Sequence, residues 1–255
     1  MRKHLSTLLK KHLPGLLRRQ IFAPEWVEHE LGQKVAFGPF KGMIISNSAE
    51  IDCRHARLLG CFEIELRSWI ESLVGRKGEF DVHAHVGAAD GYYAIGFSKA
   101  WPDIPCAAFE MIPSQEALLK KNAEVNGVAS NLRTLGKADP TRLRQALEPF
   151  SRPFVVMDVE GAEDLLLDPN AIPPLANATI LLEIHHWCRE GLRDELLARM
   201  EPTHTAILKS SRPRTLADLP IQPPMFMRLF RREAARLLLE ENRGYPMEWA
   251  LFEPR

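Results

Sequence analysis

The stretch that decides the fold is HVGAADGYY, His85 to Tyr93. An apolar run, FDVHAHV (80–86), leads into it, and Gly87, Gly91 and Gly96 punctuate the passage into a helical pattern. A strand, a glycine loop and a helix let backbone amides approach a nucleotide-like ligand closely. The spacing is not G-x-G-x-x-G, and glycine loops also serve as plain tight turns, so the loop alone names no ligand. It does carry an acid, Asp90, inside the cradle.

Outward from this loop, short apolar runs alternate with helical stretches, the pattern of a parallel α/β sheet. Strands are expected at about 80–86, 105–110, 132–136, 153–159 and 178–185, with later ones at 205–209 and 247–253. Helices are expected at about 91–100, 114–126 and 140–149, with shorter pieces after Gly161 and at 189–200. SQEALLKKNAEVNG has the best marked ends, a capping Ser114 and a terminating Gly127. Residues 1–75 read as a helical extension with a short extended piece near GMIIS, and residues 76–255 as the main domain.

The second strand sharpens the ligand. Glu110 closes AAFE 23 residues after Gly87, where an acid can accept hydrogen bonds from both hydroxyls of an adenosine ribose. NAD and S-adenosylmethionine both carry that ribose, and charge separates them: one brings a diphosphate, the other a sulfonium, an ammonium and a carboxylate. Asp90, Glu110, Asp139, Asp158, Glu160 and Glu163 all follow strand ends, on the edge where open α/β sheets bind ligands. A diphosphate there would meet like charges, at a cost on the order of 1 kcal/mol or more per contact near a surface. A sulfonium would not.

Bulk properties narrow the function classes. The 33 Lys and Arg balance 33 Asp and Glu, which leaves no global field to recruit nucleic acid. Cys53, Cys61, Cys106 and Cys188 show no C-x-x-C spacing, as reduced thiols in the cytoplasm would. No run of 18 apolar residues exists to span a membrane. The first segment has six Lys or Arg and no acid before Glu25, with leucines at 5, 8, 9, 13, 16 and 17. This suits a basic amphipathic helix packed on its own domain, or weak contact with an anionic membrane surface. The stretch 228–244 repeats the pattern of a leucine stripe beneath a basic face.

Taken together, VGAADGYYAIG (86–96), AAFEMIPSQEALLKKNAEVNGV (107–128), VVMDVEGAEDLLL (155–167) and LLEIHHW (181–187) resemble the FkbM-type S-adenosylmethionine-dependent methyltransferases. GPFKGM, LLGCFEIEL and PMEWALFEP extend the resemblance from about Gly38 to the C-terminus. It implies a class I methyltransferase (Rossmann-like) fold: a seven-stranded, mostly parallel sheet with one antiparallel strand near an edge, here behind an N-terminal helical extension. It implies methyl transfer to a hydroxyl of a sugar or small metabolite. By position, Gly87, Ala89 and Gly91, with Asp90 in the same loop, would face the methionine part, Glu110 the ribose and Asp139 the adenine amino group.

An alcohol is far too weak an acid to ionise at neutral pH, so a base or a bound cation must assist. Asp158 and Glu160 are two residues apart after one strand, and Glu183 and His185 two apart on the next, so neighbouring strand ends can bring all four together. Asp158, Glu160 and His185 are the catalytic candidates, with His185 or Asp158 as the base. A carboxylate-bound divalent cation and a merely polar pocket wall are the competing readings, and no metal site is assigned. His186 points the other way, to a packing or capping role.

His85 departs from the family pattern, which has Asp or a small polar residue there. Asp81, His83 and His85 share one face of a strand expected to be apolar on both, so something polar must meet that face. His85 either touches the cofactor or is a buried histidine bonded to a carboxylate such as Asp81 or to the N-terminal helices. Loss of an acid would remove one charge-assisted hydrogen bond, worth about 1.5–3 kcal/mol. This opens a second reading, a methyltransferase fold with weakened catalysis acting as a binding or scaffold module. An NAD-dependent oxidoreductase is the third. The acceptor and the oligomeric state are not legible.

Overall fold

A computed structural model describes residues 27, 29, 31–46, 53–221, 238, 239, 241 and 246–255. The expected amphipathic segments at the N-terminus and at 228–244 fall outside these, apart from isolated positions. Among the described residues no helix is long and apolar enough to cross a membrane.

The chain divides into two compact units, Met1–Ile64 with Pro213–Asn242, and Glu65–Arg212 with Arg243–Arg255. In the first, α1 (Arg54–Leu58) follows an extended piece in which Lys34 and Ile44 form an antiparallel bridge. Arg54 ties the two together by donating from Nη1 to the carbonyls of Ile45 and Ser46. A buried pair, Arg214 with Glu241 at 2.7 Å, joins the later part of this unit.

The second unit carries one seven-stranded sheet. Its strands are β1 (Val82–Val86), β2 (Cys106–Phe109), β3 (Leu132–Thr134), β4 (Pro153–Met157), β5 (Thr179–Ile184), β6 (His204–Ser210) and β7 (Glu248–Pro254). Their spatial order is β3-β2-β1-β4-β5-β7-β6. All pairings are parallel except those of β7, which runs antiparallel to both β5 and β6. This is the class I methyltransferase arrangement that the sequence implied. The helices are α2 (Arg67–Gly75), α3 (Tyr92–Ala100), α4 (Pro113–Val125), α5 (Pro140–Leu147), α6 (Glu163–Leu166) and α7 (Leu192–Met200).

From β1 the chain steps outward to β2 and β3, then returns to lay β4 on the other side of β1. The order therefore reverses between β1 and β4, and the crevice beyond their carboxyl ends is where such sheets take ligands. Gly87 leaves β1 and Asp158 leaves β4 at this point.

Both sheet faces are covered, which is why β4 and β5 are buried along their whole length. One face packs Val82, Ala84, Val86, Val155, Met157, Ile180 and Leu182 against Leu143 and Leu147 of α5 and Leu192, Leu196 and Met200 of α7. The other carries Phe80, Phe97, Trp101 and Phe154, with Phe80 and Phe97 each meeting both Trp101 and Phe154, and those two meeting each other, at 4.7–5.5 Å between centroids. Rings at such spacings add about 0.5–1.5 kcal/mol per pair beyond the area they bury.

The unusual polar face of β1 looks into this aromatic layer. His83 and His85 are 0% and 2% exposed, and their rings bond to each other, Nδ1 of His83 to Nε2 of His85 at 2.9 Å. His83 also meets Trp101 edge-on, and His85 packs on Phe97. Asp81 is not the partner expected for His85: its carboxylate accepts the amides of Ser151 and Arg152 instead, fastening β1 to the turn before β4. An i, i+2 pair on one strand face was within reach of itself, and that answers the polar demand locally.

One helix boundary differs from expectation. The N-cap of α4 is Ile112 and Pro113 takes the first turn, so Ser114 lies inside the helix. Proline has no amide to leave unsatisfied there and its φ is already helical. Gly127, at φ 72, follows the C-cap Asn126 as expected of a helix stop.

Candidate active site

The loop after β1 is built by its backbone. Gly87 and Ala88 both donate amides to the carbonyl of Phe109, and Gly91 donates to Ala88 to close the turn. Gly87 has φ 81, and a Cβ there would lie 1.6 Å from the carbonyl oxygen of Asp158. Only glycine permits that approach, which brings the β1 loop against the exit of β4. Gly91 caps α3 at φ 91, and Ala89 sits at φ 46, a left-handed conformation that costs a non-glycine residue about 1 kcal/mol or more.

Glu110 holds this loop. Its Oε2 accepts the amide of Ala89 at 2.8 Å and its Oε1 the amide of Ile112 at 2.7 Å. Each carboxylate oxygen has two lone pairs, so one on each remains to accept a further donor. Asp90 is buried, and its carbonyl receives the side-chain amide of Asn122 from α4 at 2.9 Å. Asp139 caps α5, accepting the amide of Arg142 at 2.9 Å on Oδ1.

The second group lies beyond β4 and β5. His185 is fully buried, with Nε2 3.5 Å from Asp158 Oδ1 and 3.3 Å from Glu160 Oε2. Its Nδ1 meets Glu163 Oε1 at 2.5 Å. Glu163, also 0% exposed, takes the amide of Gly161 on the same oxygen, which fixes its side chain across the turn. That turn is tight, with Glu160 at φ 52 and Gly161 at φ 106. Glu183 is 5% exposed, and one donor atom each from Asp158, Glu183 and His185 lie within 4.8 Å of one another. Burial works against a proton on His185, but the hydrogen bond to Glu163 and the charges of Asp158, Glu163 and Glu160 outweigh it, so its pKa stands above the ordinary value.

The structure thus gathers the sequence candidates into two neighbouring sets, the loop with Glu110 and the cluster of Asp158, Glu160, Glu183 and His185. Gly87 against Asp158 is where they meet. Asp139 is tied to its own helix. His186 is exposed and stacks edge-on to Trp187 rather than packing inside. Glu163 was read only as one acid at the sheet edge. It faces inward from the first turn of α6, right after the turn at Glu160 and Gly161. A hollow of about 480 Å³ lined by Leu197, His204, Thr205 and Arg255 lies at the other end of the sheet, where β6 begins, away from these residues.

No family model and no curated protein matches the chain. Among solved structures it is similar to a precorrin-6y C5,15-methyltransferase from Geobacter metallireducens GS-15, at 13% identity and TM-score 0.47 over 74% of this chain and 87% of that one. It is also similar to a precorrin 8w decarboxylase from Methanobacterium thermoautotrophicum, at 12% identity and TM-score 0.48 over 74% of this chain and 89% of that one. A third is the O-methyltransferase TomG from Streptomyces achromogenes in complex with SAM, at 14% identity and TM-score 0.42 over 69% and 74%. The fold is assigned on strand order and register, which stand without these likenesses.

Proposed function

We propose that this chain is an S-adenosylmethionine-dependent methyltransferase that methylates a hydroxyl of a sugar or other small metabolite. The observation that carries the reading is the junction at Gly87 and Asp158, which makes one crevice of the glycine loop and the acidic cluster at the sheet's reversal point. In this reading Gly87, Ala89, Asp90 and Gly91 receive the methionine part, Glu110 the ribose and Asp139 the adenine amino group, while His85 orients the loop from beneath. Acids on both sides of the crevice favour a cationic, phosphate-free cofactor over a dinucleotide.

The reaction is an in-line displacement. The acceptor oxygen forms its bond to the methyl carbon as the sulfur–methyl bond breaks, and that electron pair stays on sulfur as a thioether. Positioning supplies much of the rate. The hydroxyl proton is received within the cluster of Asp158, Glu160 and His185, and Nε2 of His185 must carry a lone pair for the cluster to work. The cytoplasm is the proposed compartment, consistent with four free cysteines.

A second reading, the same fold used as a binding module without turnover, is favoured by His85, which turns to His83 where the family pattern has an acid. Calorimetric titration separates them. Micromolar binding of S-adenosylmethionine, with methyl transfer to a panel of polyhydroxylated acceptors, is expected. Binding of neither S-adenosylmethionine nor NADH gives the module, and preference for NADH overturns the proposal.

A further inference from the structure

We infer that Asp158, Glu183 and His185 hold a divalent cation of the hard to borderline class, such as Mn²⁺ or Mg²⁺. Three observations carry this. His185 is completely buried, and among the described residues its Nε2 has no hydrogen-bond partner, although it faces Asp158 at 3.5 Å and Glu160 at 3.3 Å. Its Nδ1 is bonded to Glu163, so in the neutral ring Nε2 is the nitrogen that keeps the lone pair. A lone pair directed at carboxylate oxygens is repulsive until a proton or a cation lies between them. A histidine oriented by a carboxylate on one nitrogen, with the other aimed at oxygen donors, is the usual arrangement of a metal-ligating imidazole.

Geometry agrees. Donors about 2.1 Å from an octahedral ion lie about 3.0 Å apart when adjacent and about 4.2 Å apart when opposite. The 3.5 Å between Nε2 and Asp158 Oδ1 is inside this range, and the three donors, all within 4.8 Å of one another, need to close by at most about 0.6 Å to reach the opposite-donor spacing. Charge agrees as well. Asp158, Glu160, Glu163 and Glu183 surround one imidazole, and Glu163 and Glu183 are 0% and 5% exposed. Carboxylate and water oxygens suit Mg²⁺ or Mn²⁺, and the single imidazole also suits borderline divalent ions.

Cation binding itself is independent of the proposed function; the catalytic use of the cation rests on that reading. There, the acceptor hydroxyl enters an open coordination position, its O–H proton passes to exposed Glu160, and the oxygen takes the methyl group while the sulfonium becomes a thioether. Glu163 is a positioning residue, acting through His185.

The test uses the full chain, stripped with chelator and titrated with Mn²⁺ alone, followed by calorimetry and by loss of the free-ion paramagnetic resonance signal. S-adenosylmethionine binding is measured separately without metal. One Mn²⁺ per chain is expected, with Asp158→Asn, Glu183→Gln and His185→Gln each weakening uptake at least about tenfold, and Glu163→Gln by about ten- to a hundredfold. Wild-type protein that binds S-adenosylmethionine but takes up no Mn²⁺ overturns the inference. So does uptake that Asp158→Asn and His185→Gln leave unchanged. Mn²⁺ uptake without S-adenosylmethionine binding supports the cation site and overturns the proposed function instead.

Discussion

Lowering the pH from 7.5 to 5.0 should destabilise the sheet through His83. Burial holds the pKa of this histidine down at about 3, against the opposing pull of the Ile104 carbonyl. Unfolded, the same imidazole titrates near 6.5. Below that pH the unfolded chain binds a proton that the folded chain refuses, so stability is complete above 6.5 and falls progressively as the pH drops towards 3. At pH 5.0 the interval from 6.5 is 1.5 units, worth about 2 kcal/mol at about 1.36 kcal/mol per unit. Against a typical domain stability of about 5–15 kcal/mol this is a measurable fraction. His85, whose pKa is also lowered by burial and then by His83, adds in the same direction. His185 opposes: its raised pKa contributes stability that is complete below the unfolded value and lost as the pH climbs. The comparison that isolates His83 is therefore wild type against His83→Gln, by urea unfolding at both pH values with the five tryptophans as probes. The variant should lose about 2 kcal/mol less than wild type over the interval. Equal losses would refute the argument and show that His83 reaches a hydrogen-bond acceptor or water in the folded state.

Gly87→Ala should weaken S-adenosylmethionine binding by more than about tenfold and lower stability by about 1–3 kcal/mol, because the new Cβ meets the Asp158 carbonyl and φ is positive; an unfolding midpoint and a titration like wild type's would show that the loop yields freely. Glu110→Ala should weaken the same binding by about ten- to a hundredfold, the worth of a charged hydrogen-bond acceptor, and full affinity would remove Glu110 from the ribose role. His85→Asp should tighten cofactor binding by about ten- to a hundredfold if an acid at this position reaches the ammonium; unchanged affinity would mean that the position serves only its bond to the neighbouring ring.

The positions of the strands were legible because each buried strand of a parallel sheet is a short apolar run, and PFVVM or TILLEI cannot be satisfied at a surface; the seven-stranded, mostly parallel sheet was implied by the family resemblance. The pairing of Asp158 and Glu160 with Glu183 and His185 was legible for a related reason, since period-two alternation on adjacent strand ends is a local rule with a long-range consequence. What escaped the sequence depends on side-chain direction within turns. Glu163 faces inward because Glu160 and Gly161 reverse the backbone through positive φ, a conformation that no residue pattern announces for a glutamate. His83 and His85 were visible as polar residues on a core face, yet their mutual bond requires two rings to choose complementary tautomers in a layer otherwise filled by Phe97, Trp101 and Phe154. The two histidine sites then diverge by surroundings alone. In the aromatic layer burial holds the imidazoles neutral, and among four carboxylates the same ring is favoured with a proton. Histidine identity says nothing about which applies, and the difference is set by which helix covers the sheet: α3 brings rings over β1, while α6 brings Glu163 to the end of β5.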